Sequence, residues 1–186
     1  TPDVMLQTIL KENNINPAKD LKINYLSGSN ELAPMYLAGK IKIAMVSEPV
    51  LSKIMSKDNK SKINFNMDNE WKKAFGINLG FPQSTLIASE NLIKEDPEFI
   101  AKFITELENS IEFIYGKSLN KEKYITESKV TIDMSILDEV IKRANINFVS
   151  AEDSKEAYKL YFEKIEKTNK KAIGGKIPDE KIFMSK

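Results

Sequence analysis

The chain contains no cysteine and no histidine. Without thiols there is no disulfide, no thiolate nucleophile and no Cys/His zinc site. Without imidazole the commonest general base is gone, and every Ser-His-Asp arrangement with it. Carboxylate or lysine chemistry remains possible. The lack of cysteine leaves the compartment open, although it suits an exported protein. An excess of one charge is also missing: 28 basic side chains face 27 acidic ones, for a net charge of +1. That balance gives no electrostatic ground for a nucleic-acid partner or an anionic membrane. The lysines are scattered among glutamates, as on a solvated surface. No apolar run reaches transmembrane length, and no signal-peptide pattern is legible. The inventory predicts no bound cofactor and no transition metal. Oxygen ligands alone would suit Mg²⁺ or Ca²⁺, but no Asp-x-Asp-x-Asp-Gly loop is present.

What is present is ordinary for a globular protein: 41% hydrophobic and 30% charged residues. A length of 186 residues allows one large domain or two small ones. The opening Thr1-Pro2-Asp3 lacks an initiator methionine, which reads as a processed, trimmed or engineered start.

The most informative stretch runs from Gly39 to Val50. A glycine turn enters the apolar run Ile41, Ile43, Ala44, Met45, Val46, which reads as a strand buried on both faces. Ser47, Glu48 and Pro49 end it, and helical spacing resumes at once. Pro49 suits the first position of a helix. Ser47 and Glu48 then lie just past the carboxyl end of a strand, where open α/β sheets bind ligands. They read equally well as helix-start residues, Ser47 capping and Glu48 favouring the dipole.

Around this stretch the pattern alternates. A helix carries Met5, Leu6, Ile9 and Leu10 on one stripe. Strands are expected over 21–26, 41–46 and 63–67, with helices over 31–38, 50–55 and 69–75. Gly76 to Pro82 forms a loop, and 84–88 leaves it as a strand. Beyond it the chain reads as helical. Asp96 caps a long helix with Phe99, Ile100, Phe103, Ile104, Leu107, Ile111 and Ile114 on one stripe and Gly116 at its stop. A short helix is expected near Tyr124. Asp133 caps another, and Ser150 with Asp153 resembles a capping box for a helix through Ile165. The expected fold class is α/β, a parallel-type sheet with flanking helices and right-handed crossovers over 1–83, then a mainly helical segment over 84–186.

These motifs, taken in order, resemble the C-terminal portion of a solute-binding protein of ABC importers. The branch is the nitrate/sulfonate/taurine type, related to the thiamine-precursor binders. The residues that carry the resemblance are Thr1-Pro2-Asp3 before a helix, Asn14-Ile15-Asn16-Pro17 before the first strand, and Leu37 to Ala44 with Ser47-Glu48-Pro49. Asp96-Pro97-Glu98 before Phe103 and Ile173-Gly174-Gly175-Lys176-Ile177-Pro178-Asp179 complete it. The resemblance implies a type II periplasmic-binding-protein lobe over 1–83 that lacks its first strand. It implies that 84–186 returns to another, missing lobe. It also implies an extracytoplasmic place, in the periplasm or anchored to the outer face of the cell membrane as a lipoprotein. The partners implied are a small polar solute and an ABC permease. A helical segment short of its lobe would expose apolar surface and favour a dimer.

The candidate ligand-binding residues are Thr1, Asp3, Ser27, Ser47, Glu48, Gln83 and Ser84. Thr1 and Asp3 sit at a helix N-terminus, which favours anions, although Asp3 competes for the same N–H groups and serves the helix dipole equally well. Two acids beside one pocket argue against simple nitrate or sulfate and fit a solute with an amine or several donors. Ser27 belongs to the polar turn 27–29, where an ordinary turn is the commoner reading. Gln83 and Ser84 lie at the expected crossover between lobes. Trp71 could stack on a ligand, but a lone tryptophan beside Phe75 is more often core. No catalytic residue is assigned, and the chain reads as a transport receptor and not as an enzyme. The alternatives are an enzyme of pyrimidine-precursor or menaquinone type on the same fold, or a sensor module. The pyrimidine synthases depend on histidine and a cysteine-rich motif, and this sequence has neither residue.

Overall fold

The computed structural model describes residues 2–116 and 120–184. Ten α-helices appear among them: α1 (Pro2–Glu12), α2 (Pro17–Asp20), α3 (Ser29–Leu37), α4 (Val50–Lys57), α5 (Met67–Phe75), α6 (Glu90–Glu95), α7 (Pro97–Tyr115), α8 (Lys121–Glu127), α9 (Leu137–Ala144) and α10 (Ala151–Asn169). Short 3₁₀ turns occupy Met134–Ile136, Lys170–Ile173 and Glu180–Ile182.

The expected α/β sheet is not there. Among the described residues no strand forms, and α-helices with the short 3₁₀ turns take 61% of them. The runs 21–26, 41–46, 63–66 and 84–88 stay non-helical, but no backbone ladder joins them. Alternating apolar residues report a preference for extended backbone. A strand also needs a neighbour to take its N–H and C=O groups, and only packing supplies one. The consequence is visible in exposure: Ile43 is 88%, Phe65 74% and Ile87 84% exposed.

The chain divides into two compact units, each drawn from separate stretches. Unit 1 comprises 1–24, 63–86 and 149–186; unit 2 comprises 25–62 and 87–148.

In unit 1, α1 packs against both α5 and α10. The core is Met5 and Ile9 from α1, Trp71 from α5 and Ile165 from α10. Their spacing explains the packing. Met5 and Ile9 are four residues apart on one helical face. Trp71 is fully buried, with Phe75 edge-on at 4.3 Å and Phe81 at 5.9 Å between ring centroids. Asn66 caps α5 by accepting the Asn69 N–H at 3.0 Å, and Gly76 closes it in the left-handed region at φ 65°. Of the capping box expected at α10, the N-cap half is formed: the Ser150 hydroxyl oxygen accepts from the Asp153 N–H at 3.1 Å, while Asp153 Oδ2 accepts from that hydroxyl at 2.6 Å and not from the Ser150 N–H. Lys164 ties α10 to α1 and α5. Its Nζ lies 3.1 Å from Glu12 Oε2 and 4.4 Å above the Phe75 ring.

In unit 2, α3 packs on α4, α4 on the 3₁₀ turn at Met134–Ile136, and α7 on α6 and α9. Ala33, Ile54, Ile136 and Leu137 are its buried apolar residues. Asp96 caps α7 by accepting the Phe99 N–H at 2.9 Å, as its sequence predicts. None of the residues of α7 is buried, although the apolar stripe is strong. Ile100, Ile104, Leu107, Ile111 and Ile114 are half-buried, while Phe99 and Phe103 face solvent.

Candidate functional site

The turn after the 41–46 run begins with an exposed serine and a covered carboxylate. Pro49 stands at the N-cap position of α4 instead of inside it. Ser47 is exposed, whereas the Glu48 side chain is only 12% exposed. Glu48 folds back over the first turn of α4, where its Oε2 accepts the Ser52 N–H at 3.1 Å. This satisfies one of the donors that every helix leaves free at its N-terminus, and it sets a negative charge at the positive end of the dipole. Glu48 Oε1 is buried without a hydrogen bond, and Arg143 Nη1 of α9 lies 3.8 Å from it. Arg143 holds two further groups: Nη1 donates to Ser52 Oγ at 2.8 Å, and Nη2 donates to Glu139 Oε2 at 2.6 Å.

The sequence reading did not single out Arg143. The signal was available, since Arg143 is the only arginine in a chain that otherwise uses lysine throughout. A guanidinium holds its donors in a rigid plane and so fixes two partners in one geometry, which the rotatable donors of an ammonium do not reproduce.

The other candidates fall as follows. Thr1 lies outside the described residues. Asp3, in the first turn of α1, accepts from Gln7 Nε2 at 2.9 Å. Ser27 is exposed, and its N–H donates to Glu31 Oε2 at 3.1 Å, an ordinary closure of the turn into α3. Gln83 and Ser84 are exposed in unit 1, next to Thr85, whose hydroxyl meets the Tyr158 hydroxyl on α10. Ser27, Ser47 and Glu48 share unit 2, but no hydrogen bond or ion pair joins them to one another.

An open groove of about 550 Å³ lies beside the start of α5 in unit 1, lined by Asn64, Asn66, Asn69, Glu70, Lys72 and Lys73. It contains none of the expected site residues. Its lysines are already matched, Lys72 to Asp68 at 2.6 Å and Lys73 to Glu70 at 2.9 Å. Among the described residues no group of three or more acidic side chains is arranged to hold a metal. No described helix is long and apolar enough to cross a membrane.

Three side chains have shifted pKa values with legible causes. Asp133, exposed at its turn, is lowered first by the Ser135 hydroxyl and then by the Ser135 N–H; slight desolvation opposes this, and Lys53 and Lys57 add smaller help. Asp58 is lowered by the Ser61 hydroxyl and then by the Lys60 N–H. Burial raises the Tyr161 phenol, and Tyr158 adds to it. All three sit in turn or core contacts and not around a shared cavity.

No family model matches the sequence, and no curated protein matches it. A solved structure described as an ABC transporter from Parabacteroides distasonis superposes with a TM-score of 0.80 at 24% identity. The match covers 100% of this chain and 63% of that one. The likeness shows a shared fold, and this chain spans less than two thirds of its neighbour's length.

Proposed function

We propose that the chain is the C-terminal portion of an extracytoplasmic solute-binding receptor for an ABC importer, of the nitrate/sulfonate/taurine type. The receptor captures a small polar solute and delivers it to a membrane permease, with no chemical step. The observation that carries this reading is the full-length superposition at TM-score 0.80 on a structure described as an ABC transporter. The ordered motifs from Thr1-Pro2-Asp3 to Ile177-Pro178-Asp179 support the finer assignment. A chain without histidine or cysteine fits a role that needs neither nucleophile nor imidazole base. Residues 1–83 and 84–186 are then parts of a two-lobed protein whose remaining groups complete the solute site, and closure around the solute follows from hinge motion.

The test is mass spectrometry of the solute that co-purifies with the full-length protein, followed by calorimetric titration of the emptied protein with that solute. A one-to-one complex supports the receptor. Purified protein that holds no small molecule, and that converts a pyrimidine precursor or menaquinone intermediate, overturns it.

A further inference from the structure

The lone arginine is spent on one turn. From α9, Arg143 reaches Ser52, 91 positions earlier in the chain, and faces Glu48 beside it. Ser52 is 2% exposed, and the Arg143 side chain is 25% exposed. The guanidinium serves a hydroxyl on one nitrogen and the Glu139 carboxylate on the other, 2.8 and 2.6 Å away. Ser52 closes the circuit by giving its N–H to Glu48 Oε2. Each group therefore fixes the next: Glu139 aims the guanidinium, the guanidinium holds Ser52 and faces Glu48, and Glu48 caps α4.

We propose that Arg143 is the positioning residue of the turn Ser47-Glu48-Pro49. It keeps the Glu48 carboxylate folded onto α4 as a cap, and so leaves Ser47 as the polar side chain that the turn presents outward, beside the exposed Pro49. A lysine at the same place supplies the charge but not the fork, because its ammonium is a point charge on a flexible stem. The consequence for ligand choice rests on the receptor reading: the turn offers the solute a neutral hydroxyl and not a carboxylate. The clamp itself does not depend on that reading.

Amide hydrogen exchange resolved to single residues tests the clamp on the full chain without any ligand. In Arg143→Gln and in Arg143→Lys the Ser52 amide is expected to exchange about tenfold faster or more, as a lost hydrogen bond allows. Amides of α1 and α5, in unit 1, keep their wild-type rates. Wild-type exchange at Ser52 in Arg143→Lys overturns the fork, since charge alone then suffices. Wild-type exchange in Arg143→Gln overturns the clamp. Should the arginine variants lose their fold, Ser52→Ala serves instead. It removes only the hydroxyl, and is expected to speed exchange of the residue-52 amide about threefold or more; no change there also overturns the clamp. Failure to capture a solute overturns the receptor and leaves these exchange results standing.

Discussion

The Asp68 carboxylate occupies the space beside Gly80 that any side chain at that position needs. A β-carbon on Gly80 would overlap Asp68 Oδ1 and its carboxyl carbon outright. Asp68 has little room to yield. Its side chain is 14% exposed and paired to Lys72 at 2.6 Å on the same helix. Gly80→Ala is therefore expected to cost about 1–3 kcal/mol, the range for overpacking a fitted site. Adding Asp68→Ala frees the space, so the double variant is expected to recover part of that loss. Urea denaturation of the four forms measures the coupling. Additive losses would show that the two residues do not share the space.

Trp71 is the centre of unit 1. It is fully buried among Met5, Ile9, Phe75, Phe81, Tyr161 and Ile165. Its indole N–H has no partner, so the residue stabilises through packing and edge-on ring contacts alone. Trp71→Ala is expected to lose about 3–5 kcal/mol. Denaturation followed by circular dichroism checks this, since the variant has no tryptophan to report.

Glu48→Gln separates a cap from a ligand contact. The carboxylate accepts from Ser52 and faces Arg143, so the change is expected to lower stability by about 0.5–2 kcal/mol, as loss of a cap does. Affinity for the co-purifying solute is expected to stay within a factor of about two, well under the 1.4 kcal/mol that separates decades. A weakening of one to two decades in the titration would instead make Glu48 a contact of the solute.

Asp133 gives unit 2 an acid-sensitive turn. Its folded pKa is lowered from the ordinary value of 3.8, so its contribution is full above that value. It fades as the pH falls through the lowered folded value. Asp133→Asn cannot titrate. The stability gap between wild type and Asp133→Asn is expected to be constant near neutral pH and to shrink below about pH 4, where the unfolded-state carboxyl begins to protonate. Denaturation midpoints across that range test the sign; a gap that widens on acidification would reverse it.

Phe99 and Phe103 stand one turn apart on α7 with rings 6.2 Å between centroids, both facing solvent. Ile43 and Ile87 of the same unit are also largely exposed, and exposed apolar side chains of this size favour association. The 186-residue chain is expected to self-associate, and Phe99→Lys with Phe103→Lys to reduce it. Light scattering decides; a monodisperse monomer of the unaltered chain would count against the exposed surface.

The sequence by itself determined several helix ends, because capping is a matter of a few neighbouring atoms, although Pro49 caps α4 from outside and the short α2 and α6 carried no legible apolar stripe. Asp96 before Pro97, Ser150 before Asp153 and Gly76 after Phe75 act as their residue types dictate. It also marked Trp71 as core, since a large apolar ring beside Phe75 has few other places to go. Tertiary structure decided everything that needs a partner from far along the chain. The runs at 21–26, 41–46 and 63–66 have the composition of strands, but composition supplies no adjacent backbone, and among the described residues no ladder forms. The stripe of α7 is legible, while its partial exposure depends on what packs against it. Arg143 and Glu48 meet only because α9 is carried back to the start of α4, and no local pattern around either residue encodes that approach. Short-range hydrogen bonds are written in adjacent residues, whereas pairing over long loops follows from the packing of whole elements.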